Sequence, residues 1–243
     1  MRFIVAAPPY RNSSAGCRVL HRLCHLLREI GELAFVATNA VNRAWNTPYS
    51  SVVTANTVVV YPEVIHGNPT DAERVVRYVL NHPGLLGGTK VYSDSEMVWY
   101  YDEWLRDSTR NATTEDVTGR RLFINAIEPE YFWNNPLTYR DKTCFYVGKA
   151  RGITLELPGY TEITSKWPAT RMDLGNLLRR TKVLYSYDDC TALLEEAVLC
   201  GAKAYITGLD GIETEYAGAP STVSFNSTEA VERFARACKA RWE

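Results

Sequence analysis

The chain has no pair of cysteines in a CxxC arrangement, and none of its six cysteines lies in a Cys/His cluster with zinc spacing. We therefore expect no structural zinc site and no other bound metal. No apolar run reaches the ~18 residues needed to cross a bilayer, and the first residues turn proline-rich before a secretory signal could form. These absences predict a cytoplasmic protein with reduced thiols and no transmembrane segment.

An excess of charge of either sign is also missing, since 27 Lys and Arg are balanced by 28 Asp and Glu. A protein that mainly coats nucleic acid usually has a clear basic excess, so that class is disfavoured. Hydrophobic residues make up 46% of the 243 positions. This composition is typical of a globular protein with enough chain for one large domain or two small ones.

The N-terminal half alternates between strand and helix patterns. A short apolar strand at 3–7, a polar loop and a helix with apolar spacing that ends at Gly31 precede a second strand at 33–37. A strand–helix–strand crossover of this kind indicates a parallel sheet. The pattern predicts further strands at 57–61, 90–92 and 122–124 and further helices at 71–81 and 96–106.

This alternation breaks between residues 127 and 142, a stretch with two prolines, two adjacent asparagines and no clear period. After the break, strands at 144–147, 183–185 and 204–206 alternate with helices at 173–180 and 190–200. We therefore predict an α/β protein with two small Rossmann-like lobes, at 1–130 and 140–230, and a terminal helix at 227–243. Ligands bind at the carboxyl ends of parallel strands, so the two lobes are expected to face a cleft.

An acidic segment in the second half carries the most informative chemistry. Asp188 lies in a polar turn after a strand, a helix begins near Thr191, and Glu196 lies on its second turn. The free N–H groups at a helix start suit a diphosphate, and a carboxylate can accept two hydrogen bonds from a vicinal diol. One acid would then bind sugar hydroxyls and the other ribose hydroxyls. The alternative is an ordinary amphipathic helix with acids near its start.

A basic segment precedes the acidic one by about forty residues. The predicted strand at 144–147 ends at Gly148 and is followed by Lys149 and Arg151. Glycine lets the backbone approach a ligand closely, and the two cations could neutralise a diphosphate as the sugar leaves. The alternative is a basic surface turn.

Together these segments resemble the retaining GT-B glycosyltransferases of group 1. In that family the C-terminal lobe carries two acids with seven residues between them, a small residue and a helix-ending glycine, which correspond here to Asp188, Glu196-Ala197 and Gly201. The sequence departs from the family in having aspartate for the first glutamate and Lys203 where proline is common. The resemblance implies a GT-B fold and metal-independent transfer of a sugar, with retention of configuration, from a nucleoside-diphosphate sugar to a hydroxyl acceptor. The nucleotide sugar is a co-substrate, and no cofactor is implied.

Further residues receive roles from the same resemblance. Lys149, Asp188 and His66 are the catalytic candidates, and Trp167 could stack on the nucleobase or cap the core instead. In the N-terminal lobe, Gly16 in the first loop and Glu63 after the TVVVYP strand are expected at the acceptor side of the cleft. For His66 the alternative is a loop histidine that binds its own backbone.

Other functions remain open. The acceptor could be a glycan or a hydroxymethylated base in DNA, in which case the pairs Arg120-Arg121 and Arg179-Arg180 could contact phosphates. A nucleotide-sugar-binding module without turnover and a sugar-nucleotide epimerase are the alternatives of a different class. The chain is short for a GT-B enzyme, so a homodimer that covers the trimmed surface is a further expectation.

Overall fold

A computed structural model describes residues 1–149, 155–208, 210–218 and 227–243. The described residues form two compact units, each built around one five-stranded sheet. The first unit contains residues 1–11, 16–126 and the described C-terminal residues, and the second contains residues 12–15 and the described part of 127–223. The predicted α/β class is confirmed, and both sheets are predominantly parallel, as in Rossmann-like folds.

The first sheet is parallel throughout, with the order β2-β1-β3-β4-β5. Its elements in chain order are β1 (Arg2–Val5), α1 (Ala15–Glu29), β2 (Leu33–Val36), β3 (Thr57–Pro62), β4 (Arg74–Val79), β5 (Met97–Tyr100), a short 3-10 helix (Glu103–Leu105) and α2 (Arg106–Arg110). Every residue of β3 is buried, as expected for a β-branched run in the middle of a parallel sheet.

The helix predicted at 71–81 is wrong, because this segment forms strand β4. Val75, Val76 and Val79 fit the spacing of a helix, but β4 lies between β3 and β5 with both of its faces covered. A strand buried on both sides has no alternation of polar and apolar residues, so periodicity cannot separate it from a buried helix.

Three further predictions in the same region are corrected. The aromatic segment predicted as a helix at 96–106 begins as the fully buried strand β5 and becomes helical near Glu103. The segments at 90–92 and 122–124 are not strands, although Tyr92, Leu122 and Ile124 are buried. Their burial comes from loops that cover the core, and burial of apolar residues produces the same local pattern in a loop as in a short strand.

The last helix, α5 (Thr228–Trp242), belongs to the first unit. Val231, Phe234 and Cys238 on α5 join the same apolar core as Leu23 and Leu27 on α1. The chain therefore returns to the first unit after completing the second, because the apolar face of α5 is buried in that core.

The second sheet has the order β10-β9-β8-β6-β7, with β10 antiparallel to β9 and the other pairs parallel. Its elements in chain order are β6 (Lys142–Tyr146), β7 (Thr161–Ile163), α3 (Arg171–Arg180), β8 (Thr181–Ser186), α4 (Ala192–Leu199), β9 (Lys203–Thr207) and β10 (Glu213–Glu215). When the strands of each unit are counted in chain order, both sheets have the order 2-1-3-4-5. This order places a topological switch point between the first and third strands, where open α/β sheets bind ligands.

Across the described residues, no helix is both long enough and apolar enough to cross a membrane.

Candidate functional site

The switch point of the second sheet lies between β6 and β8. Tyr146 and Ser186 are register partners at the carboxyl ends of these strands. Just beyond them, the backbone N–H of Lys149 donates to Asp188 Oδ2 at 3.2 Å, and Lys149 Nζ lies 3.2 Å from Asp188 Oδ1. The basic and acidic segments of the sequence therefore meet at the edge of the sheet where ligands are expected.

Gly148 makes this close approach sterically feasible. Its φ angle is +60°, in the left-handed region that other residues rarely adopt. A Cβ atom at this position would lie 2.6 Å from Asp188 Cβ and 2.6 Å from Tyr146 Cε1. Any side chain at position 148 would therefore push Asp188 away from Lys149.

Asp188 acts as the internal anchor of the site. Its side chain is 3% exposed, and its carboxylate also accepts a hydrogen bond of 3.1 Å from the backbone N–H of Cys190. The Ser186 hydroxyl donates to the backbone carbonyl of Asp188 at 2.7 Å. Because the carboxylate is buried and its oxygens are used by neighbouring groups, Asp188 is arranged to position Lys149.

Lys149 keeps part of its ammonium group accessible. Its side chain is 34% exposed, and its Nζ donates to Asp188 and to the carbonyl of Cys190. A lysine ammonium has three N–H donors, and two have acceptors among the described residues. One charged donor, held in a fixed position, is therefore left for an anion at the carboxyl edge of the sheet.

Thr191 is the N-cap of α4, so the helix begins near the residue where the sequence predicts it. Its backbone is extended, and its Oγ1 accepts a hydrogen bond of 3.3 Å from the N–H of Leu193. The helix start is next in the chain to Cys190, whose carbonyl binds Lys149. The partial positive charge of a helix N-terminus is thus placed beside the lysine.

Burial raises the pKa of the Cys190 thiol to about 11, although Lys149 acts in the opposite direction. The thiol is therefore mostly protonated at physiological pH, which lowers its reactivity as a nucleophile. We expect iodoacetamide at about pH 8 to alkylate Cys190 roughly a hundredfold more slowly than a free cysteine thiol. Peptide mass spectrometry measures this rate, and alkylation as fast as that of free cysteine would contradict it.

Glu196 is held in a buried ion pair. Its side chain is 2% exposed, and its two oxygens accept hydrogen bonds of 3.1 Å and 2.6 Å from Arg171. Arg171 also donates to Glu128 at 2.9 Å and 3.1 Å and lies 4.3 Å from the centre of the Phe132 ring. We call Glu128, Arg171 and Glu196 the carboxylate–arginine cluster.

Neighbouring carboxylates keep Arg171 in its charged form. Burial by itself lowers the pKa of this arginine, but the charges and hydrogen bonds of Glu196 and Glu128 outweigh it and raise the pKa above its usual value. Arg171 and Glu128 were not singled out in the sequence. The sequence carried only an indirect signal. Glu196 lies on a helix face that is otherwise apolar, and a buried acid there needs a positive partner.

Besides the Lys149–Asp188 pair and the carboxylate–arginine cluster, the sequence predicts two further site residues in the second half, Trp167 and Arg151. Trp167 follows β7, the neighbour of β6, and is 47% exposed in a turn closed by a 2.8 Å hydrogen bond from the Thr164 N–H to its carbonyl. An exposed indole at the carboxyl end of a parallel strand is available to a ligand. Arg151 lies outside the described residues.

The remaining candidates lie in the first unit. Glu63 directly follows β3 at the switch point of the first sheet, is buried, and accepts a hydrogen bond of 3.0 Å from the Leu80 N–H. His66 is exposed in the following turn. Gly16 lies in the first turn of α1, where a Cβ would make an ordinary 3.7 Å contact with Leu80. Glu63 and His66 are thus close in the chain, and Gly16 lies on a different element.

The described residues contain no group of three or more His, Cys, Asp or Glu side chains placed to hold a metal ion. In comparisons with known proteins, no protein-family model matches the chain. None of the curated proteins is significantly similar to it.

Proposed function

We propose that the chain is a glycosyltransferase of the GT-B kind that transfers a sugar from a nucleoside-diphosphate sugar to a hydroxyl acceptor. The observation that carries this proposal is the meeting of Lys149, Asp188 and the start of α4 at the switch point of the second sheet. This edge is where α/β folds bind nucleotides, and a cation beside a helix N-terminus suits a diphosphate.

The leaving group determines what the site has to supply. When the bond between the sugar and the diphosphate breaks, negative charge grows on the phosphate oxygens, and fixed positive groups stabilise it. The accessible N–H of Lys149 and the amides at the start of α4 take this role. Asp188 is a positioning residue in this scheme, because its buried carboxylate fixes the direction of the lysine.

The carboxylate–arginine cluster holds α4, whose start is part of the proposed donor site, against the start of α3. The sequence assigns Glu196 to direct contact with the donor, but its side chain is 2% exposed and both oxygens bind Arg171. In the proposed enzyme, Glu196 therefore acts through Arg171, which ties α4 to the start of α3. Trp167 remains the candidate for stacking on the nucleobase because its ring is partly exposed.

A thermal-shift series with the diphosphates of uridine, guanosine, adenosine, cytidine and thymidine tests the donor site. We expect one nucleotide to raise the melting temperature, because a ligand that binds the folded state stabilises it. Lys149→Gln should weaken the binding by about tenfold, as expected for loss of one charged hydrogen bond.

Lys182→Gln is the matched control, since Lys182 is an exposed lysine on β8 of the same unit. This variant should retain the full shift. No stabilisation by any of the five diphosphates at millimolar concentration would contradict the proposed donor site. An undiminished shift in Lys149→Gln would remove Lys149 from it.

A nucleotide-sugar-binding module without turnover is the second candidate. It is favoured by one observation, namely that Asp188 and Glu196 are both buried in ion pairs with side chains of the protein. The two functions separate when the identified nucleotide sugar is incubated with the protein and sugar release or transfer is followed. Binding with no release and no transfer to any hydroxyl acceptor supports the module.

A further inference from the structure

A pocket in the first unit is lined by four arginines from three separate segments. It has a volume of about 490 Å³ and lies at the carboxyl end of β5, whose last residue is Tyr100. Arg106 and Arg110 come from α2, Arg121 from the following loop and Arg233 from α5. We call these four residues the arginine pocket. Glu103 is the acidic residue among its lining residues.

Two of the four arginines are held by carboxylates. Arg121 Nη2 lies 2.7 Å from Asp102 Oδ1, and Arg106 makes longer contacts of 3.3 Å with Glu103 and 3.5 Å with Asp107. The Arg106 pairs are largely exposed and are expected to be weak. The Nε of Arg121 is buried without a hydrogen-bond partner in the described part of the chain, so its donors are not fully used.

The other two arginines have no carboxylate partner within salt-bridge distance among the described residues. Arg233 is exposed and donates from Nη2 to the backbone carbonyl of Arg121 at 2.6 Å. The Arg110 side chain is exposed and makes no hydrogen bond to the described residues. The nearby Asp116 feels the charge of Arg110, but its carboxylate is bound mainly by Thr118, with a backbone hydrogen bond of 2.9 Å.

We propose that the arginine pocket binds the phosphate group of a small phosphorylated molecule. Guanidinium groups offer paired N–H donors that match the oxygens of a phosphate, and several of them around one cavity place a positive field on it. The volume falls in the range of small-molecule sites and exceeds what a single inorganic anion needs. The carboxyl edge of a parallel sheet is the usual side for such a site.

The backbone near the pocket also admits a close ligand. Gly119 lines it with a φ angle of +72°, and a Cβ built there would meet nothing within 4 Å. Thr118 adds a hydroxyl to the lining. This site belongs to the first unit and is independent of the proposed donor site, which lies in the second.

Calorimetric titration with inorganic phosphate and pyrophosphate at about pH 8, where the phosphate dianion predominates, tests the proposal. Sodium chloride keeps the ionic strength constant between samples. We expect saturable binding, and the double variant Arg110→Gln, Arg233→Gln should weaken it by about tenfold or more. Both side chains are exposed, so the variant without ligand should remain folded and lose no more than the surface hydrogen bond from Arg233 to the Arg121 carbonyl.

Arg236→Gln is the matched control. Arg236 is also on α5, is 68% exposed and pairs with Glu232 at 3.7 Å, but it does not line the pocket. It should bind phosphate like the wild type. Absence of binding in the wild type, or equal weakening by Arg236→Gln and by the double variant, overturns the proposal. A single-stranded oligonucleotide that binds through the same arginines far more tightly than pyrophosphate, with a steep salt dependence, overturns the small-molecule assignment.

Discussion

Replacing Arg171 by methionine is expected to lower the free energy of unfolding by about 3–5 kcal/mol, because two carboxylates lose their shared counter-ion in a buried setting. Arg171 reaches Glu196 at 2.6 Å and Glu128 at 2.9 Å, and its side chain is 8% exposed. Methionine retains an unbranched apolar stem but supplies no charge and no hydrogen bonds. Urea denaturation followed by circular dichroism measures the change.

Arg180→Met is the control for this substitution. Arg180 lies on the same helix, α3, and pairs with Asp141 at 2.6 Å, but its side chain is 53% exposed. Water screens an exposed pair, so the denaturation midpoint should hardly move. If both variants shift the midpoint equally, the carboxylate–arginine cluster does not have the stabilising role assigned to it.

A second substitution in the Arg171→Met background tests the mechanism of the loss. Glu196→Gln removes one of the two carboxylates that lose Arg171 in the first change. Part of the lost stability should return, and the two changes should be strongly non-additive because the residues are in direct contact. Additive losses would indicate that packing, and not charge, accounts for the effect.

Gly148→Ala is expected to destabilise the folded protein by about 2–5 kcal/mol and to abolish the nucleotide-induced thermal shift. A left-handed backbone costs a non-glycine residue about 1–2 kcal/mol, and overpacking adds roughly 1–3 kcal/mol. The added methyl group would lie 2.6 Å from Asp188 Cβ, so it would also displace the anchor of Lys149. Chemical denaturation measures the first effect, and thermal shift measures the second.

Gly159→Ala separates the two contributions. Gly159 also has a positive φ, +82°, but a Cβ there would meet nothing within 4 Å. This variant should show the backbone cost of about 1–2 kcal/mol without the steric cost, and it should keep the nucleotide response. Equal destabilisation by the two alanines would contradict the proposed clash at Gly148.

Local sequence patterns correctly predicted several helices and strands whose apolar residues have a clear period or form a short continuous run. The apolar spacing that ends at Gly31 predicted α1, and the strands around Phe3 and Cys144 lie where their apolar runs indicated. The sequence also assigned Lys149 and the start of the helix after Asp188 to one diphosphate, but the strand order that makes β6 and β8 neighbours came only from the structure. Lys149 and Asp188 are in contact just beyond these two strands.

Other features depended on partners that are distant in sequence. Arg171 is 25 residues from Glu196 and 43 from Glu128, so no local spacing pairs them. The arginine pocket combines Arg110 with Arg233, which approach each other only when α5 returns to the first unit. These groupings follow from the packing of whole elements, which a single sequence does not specify locally.

The sequence by itself determined an α/β protein with parallel sheets, because this conclusion needs only local periodicity and the direction of strand–helix–strand crossovers. The tertiary structure alone decided that the segment around Val75 is a central strand, that α5 joins the first core and that Glu196 is bound to Arg171. The physical reason is that burial on both faces removes the alternation that marks a strand, and that the partner of a buried charge is chosen by three-dimensional proximity.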